Sequence, residues 1–227
     1  MSTPSVRPEP LEIAPAGKAK ASVIFLHGLG ADGHDLAPIV PALKLAPELG
    51  IRWILPTAAT RPLGAAGGEM RTAWFDMGPE DLWRAVSSDP TGLAQADGLV
   101  RSMIEREIAR GVPSNRIVVG GFSQGGALAA YVAVRFEKPL AGAFALSTFL
   151  ARNVPVEAQS VSANRGLPVF AAHGTEDRLV APARGRELRD RMVELGCEVT
   201  FREYPMGHSV CVEEIADLSA WLAARLR

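Results

Sequence analysis

A chain of 227 residues with net charge −1, 48% hydrophobic and 22% charged, has the composition of an ordinary soluble globular protein long enough to bury a core. The near-neutral charge excludes an electrostatic case for nucleic acid or an anionic membrane surface. No run reaches the roughly 18 apolar residues of a membrane-spanning helix, so no stable membrane insertion is expected, and neither Cys197 nor Cys211 has metal-ligand spacing.

The first ten residues carry three prolines and lack the apolar core of a signal peptide, which predicts an extended lead-in over residues 1–20 and a cytoplasmic protein. The β-branched, apolar run at 21–26 reads as a buried strand ending at His27-Gly28. A helix is expected over 34–43, with Pro38 near its start, and a second strand over 51–55. From 57 to 88 periodicity is lost, yet Trp74, Phe75 and Trp83 fall there, which predicts a lid-like loop over a site. Asp89-Pro90 reads as an N-cap and first helical position, with apolar residues at helical spacing from Leu93 to Ile108 and a stop at Gly111. Then come a strand from 117 to Gly120, a turn, a helix to about Phe136, a strand at 140–146 and a loop to about Gly166. A strand at 167–172 ending at His173-Gly174, a helix at 182–195, a strand at 198–204 and an amphipathic helix at 210–226 complete the chain. Strands alternating with helices predict an α/β fold with a mainly parallel sheet covered on both faces, in a single domain over residues 21–227.

Gly121-Phe122-Ser123-Gln124-Gly125 fits G-x-S-x-G, which sets a serine on a sharp turn between strand and helix. A serine hydroxyl is a weak nucleophile and needs a base, for which histidine suits. Of four histidines, His27 and His173 follow strands and precede glycines, and His34 opens a helix. His208 lies after the last strand, in the position that the order serine, acid, histidine requires. Asp177, preferred over the adjacent Glu176, is the candidate acid that orients the base. The backbone N–H groups of Gln124 and Leu29 are the candidate oxyanion donors. The candidate substrate wall is Leu29, Trp74, Phe75, Met77 and Leu179.

Val23 to Asp35 with its His-Gly-Leu-Gly, Gly121 to Gly126, Ala145-Leu146-Ser147, His173 to Asp177 and Tyr204 to His208 together resemble the carboxylesterase / acyl-protein thioesterase (lysophospholipase-like) family of α/β-hydrolases. Trp74-Phe75-Asp76 resembles that family's lid-region motif, and Thr148-Phe149 its bacterial esterase branch. The stretch Arg61 to Met70, glycine-rich and polar, and Met77-Gly78-Pro79 depart from the pattern. The resemblance implies Ser123, Asp177 and His208 as a triad, Leu29 and Gln124 at an oxyanion hole, and no metal or cofactor. It implies hydrolysis of a small-molecule carboxylic ester through an acyl-enzyme, with acyl thioesters of proteins or lysophospholipids as alternative substrates and a homodimer left open. A non-catalytic ligand-binding hydrolase fold would require a broken triad, and none of the three positions is broken.

Overall fold

The computed structural model describes residues 8–78, 89–151 and 162–227. Seven strands form one sheet in the order β1 (Leu11–Ile13), β3 (Ile51–Leu55), β2 (Ala21–Leu26), β6 (Ile117–Phe122), β7 (Gly142–Leu146), β8 (Pro168–Gly174), β9 (Glu198–Tyr204). All neighbours run parallel except β1, which pairs antiparallel with β3. This is the mainly parallel sheet that the alternation of strands and helices predicts.

The central strands read as continuous apolar runs because both faces of the sheet are covered. Within β2 the side chains divide by parity: Ile24 and Leu26 enter one core, Val23 and Phe25 the other. The first core is closed by α3 (Pro90–Ala109), α4 (Gln124–Ala133) and α5 (Pro182–Glu194). The second is closed by α6 (Val212–Arg225), through Leu218, Trp221 and Leu222, with Leu36 and Leu43 from the region of two short helices, α1 (Gly33–Leu36) and α2 (Ile39–Ala42). All ten residues of α4 are buried, as expected for a helix apolar on every side at the centre of the layer. No helix among the described residues is long and apolar enough to cross a membrane.

Four expectations need correction. The lead-in is not extended throughout, because Leu11–Ile13 forms the edge strand β1. The helix expected over 34–43 is broken into α1 and α2, with Pro38 at the junction and Pro41 inside α2; each proline lacks the N–H that a continuous helix needs. Residues 57–88 are not all irregular: β4 (Thr60–Leu63) and β5 (Glu69–Thr72) pair as an antiparallel hairpin. Its strands are four residues each, mostly exposed and interrupted by Pro62, so no apolar alternation marks them. The remainder of that stretch, 79–88, including Trp83, lies outside the described residues. Finally, β6 runs on to Phe122 and β8 to Gly174, so His173 is a strand residue paired with Glu203 rather than a loop residue.

Candidate active site

The loops at the carboxyl ends of β2, β6, β8 and β9 converge, where an open parallel sheet forms its sites. Between β6 and α4 the chain turns at Ser123, with φ 52° and ψ −123°. A non-glycine residue there costs about 1–3 kcal/mol, which persists only where the surroundings fix it. Three hydrogen bonds do so: Ser123 N–H donates to Leu146 O at 2.9 Å, Ala127 N–H to Ser123 O at 3.1 Å, and Thr148 Oγ1 to Ser123 O at 2.5 Å. The turn also requires glycines on both sides. A Cβ on Gly121 would lie 2.2 Å from the carbonyl of Gly125, and one on Gly125 would lie 2.3 Å from Leu26 O.

His208 Nδ1 donates to Asp177 Oδ2 at 2.7 Å. The other carboxylate oxygen of Asp177 accepts from Leu179 N–H at 2.9 Å and Val180 N–H at 2.8 Å. The Asp177 side chain is fully buried, whereas Glu176 is exposed. With Nδ1 committed to the carboxylate, Nε2 of His208 is the nitrogen free to take a proton. The imidazole packs against Phe122, ring centroids 4.8 Å apart. Ser123, Gln124, Leu29 and His208 all line one cavity of about 300 Å³. The sequence at the start of α4 places its first N–H, that of Gln124, beside Ser123, where helix geometry provides no internal partner.

The loop bearing Leu29 is held from several sides. His27 is fully buried, accepts from Ala58 N–H at Nε2 (3.0 Å) and donates from Nδ1 to Gly28 O (2.6 Å). Burial lowers its pKa, and with both ring nitrogens engaged it has none free to act as the base. Trp74 Nε1 donates to His27 O at 2.8 Å, Gly30 N–H to Thr72 O at 2.8 Å, and Thr72 Oγ1 to Ala31 O at 2.6 Å. The Gln124 side chain completes the tie, accepting from Trp74 N–H and donating to Phe75 O, both at 2.9 Å. His173 is likewise buried, its pKa lowered by desolvation, with Nε2 donating to Val180 O at 2.8 Å. It therefore shapes the loop that carries Asp177. His34 lies exposed in α1.

Of the expected substrate wall, Leu29, Met77 and Leu179 line the cavity. Trp74 and Phe75 do not: Phe75 is fully buried in the core, and Trp74 spends its indole on His27. The cavity also takes Ile39, Phe149 and Val210, which sequence reasoning missed. Val210 had a signal, two residues after the candidate base; Ile39 had none.

These features define an α/β-hydrolase. The chain matches the phospholipase/carboxylesterase family over residues 10–226 and belongs to it. It is 35% identical over 228 residues to acyl-protein thioesterase 1 of Neurospora crassa, covering 97% of this chain and 93% of that protein. It is 35% identical over 232 residues to acyl-protein thioesterase 1 of Cryptococcus neoformans, covering 96% and 97%. Among solved structures, Arabidopsis thaliana SOBER1 superposes with a TM-score of 0.85 at 29% identity, covering 92% of this chain and all of that one (100%).

Proposed function

We propose that the protein hydrolyses acyl thioesters of acylated proteins, and oxygen esters by the same chemistry, through an acyl-enzyme on Ser123. His208 takes the hydroxyl proton as Ser123 Oγ attacks the acyl carbonyl carbon. Asp177 fixes the imidazole and stabilises its charged form. The N–H groups of Leu29 and Gln124 hold the oxyanion. His208 then protonates the departing sulfur or oxygen; water, deprotonated by His208, attacks the acyl-enzyme and releases the acid. Leu29, Met77 and Leu179 offer the acyl chain an apolar wall. The reading extends to a single catalytic domain over residues 21–227 acting in the cytoplasm.

The observation that carries the chemistry is the strained Ser123 facing the same cavity as an imidazole whose far nitrogen is held 2.7 Å from a buried carboxylate. The thioester preference is supported by two relatives 35% identical over nearly their whole lengths, both acyl-protein thioesterases. The carboxylesterase reading, first from the sequence, stands second: nothing in the pairing of Ser123 with His208 selects sulfur over oxygen. Matched pairs differing only in the bridging atom separate the two. With one acyl chain on both, kcat/KM should be higher for the thioester by more than its intrinsic reactivity with hydroxide. An advantage no greater than that, or a preference for the ester, would favour the carboxylesterase.

A further inference from the structure

The cavity over Ser123 is walled on one side by Ile39 of α2 and by Val210. The same two side chains line a second, larger hollow of about 690 Å³ between α2 and α6. The two residues common to both linings are aliphatic, so an alkyl chain lying over them strips no water from a polar side chain. The hollow continues over Leu43, Ile215 and Ala216. Its polar members are few. Ser219 Oγ is occupied, donating to Leu43 O at 2.5 Å, and Lys44 supplies the charged group of the lining. Val212, at the first position of α6, lines it while 81% exposed.

The side of the reaction that this hollow serves follows from the proton. In serine hydrolysis the histidine returns the proton to the leaving atom, so the leaving group lies against the imidazole. Val210, Cys211 and Val212 continue the chain directly from the loop of His208 and form the wall of the hollow. Val210, two residues after His208 and shared by both linings, thus stands on the leaving-group side.

We propose that the α2–α6 hollow is a leaving-group subsite that binds the alkyl portion of the departing alcohol or thiol, with Ile39 and Val210 at its mouth. This rests on the hydrolase reading of Ser123. It makes the protein selective for substrates apolar on the side of the bond opposite the acyl chain.

Two ester series test it on the full chain: butanoate esters of alcohols lengthened from methyl to octyl, and methyl esters of acids lengthened over the same range. In the alcohol series kcat/KM should rise by up to about fourfold per methylene once the chain passes Val210. Ala216→Trp fills the hollow from an exposed helical position, and the ratio of octyl to methyl turnover should fall at least tenfold. Val212→Asp, also exposed, should lower the same ratio several-fold and covers the case that the tryptophan variant does not fold. A flat alcohol series in the wild type, or a ratio unchanged in both variants, overturns the subsite while leaving the nucleophile assignment standing. Turnover that survives Ser123→Ala, or no turnover of any ester, removes the hydrolase reading and the subsite with it.

Discussion

The elbow at Gly121 to Gly126 and the β4–β5 hairpin are built on opposite principles. In the elbow there is no slack. Gly121 and Gly125 touch neighbouring backbone, and Ser123 is held at positive φ by bonds from β7, α4 and Thr148. In the hairpin Gly67 and Gly68 have open space around them, and Met70 is 56% exposed. The candidate nucleophile sits where the backbone is over-determined, while the hairpin contributes no residue to the cavity and its glycines have room to vary. Gln124 spans the difference: its backbone begins α4 and its side chain grips Trp74 and Phe75 beyond the hairpin.

This contrast can be broken by substitution. Asp177→Asn leaves the packing around Leu179 and Val180 but presents the wrong hydrogen-bonding group to His208. It should lower kcat by about 10⁴, by analogy with the serine-protease template, with thermal unfolding little changed. A variant of near-normal activity would move the orienting role elsewhere. Gly125→Ala and Gly68→Ala make one chemical change in the two regions. At Gly125 the new methyl meets Leu26 O, and a loss of about 3 kcal/mol in denaturant unfolding, with most of the activity, is expected. At Gly68, with φ 90° and nothing near, only backbone strain remains, about 1–2 kcal/mol, and activity should persist. Equal costs would erase the distinction. Gln124→Ala keeps the backbone donor but leaves Trp74 N–H and Phe75 O without their buried partner. A cost of about 1–3 kcal/mol per orphaned group is expected, with kcat lowered through the loosened Leu29 loop more than KM is raised.

The sequence made the sheet legible wherever a strand is buried on both faces, because such strands are mostly apolar. That holds for β2, β3, β6 and β7, and fails for β1 and the hairpin, which are short, partly exposed and carry proline or charge. Ser123, Asp177 and His208 could be proposed together from the sequence because an elbow needs glycines at fixed offsets and the candidate acid and base follow in fixed order. Trp74, expected at the substrate wall, lies outside the cavity lining and gives its indole to His27, 47 residues away, a pairing that no local pattern reports. The hidden parts of the cavity wall have the same cause. Ile39 stands beside Val40 between two prolines, and no local pattern tells which of the two faces the cavity.

The most direct measurement is covalent labelling by a fluorophosphonate probe, read by intact mass, in the wild type and in Ser123→Ala. One adduct on the wild type, lost in the variant and slowed in Asp177→Asn, is the predicted result. An adduct of equal stoichiometry on Ser123→Ala, with the protein folded, would contradict the assignment of Ser123 as the nucleophile.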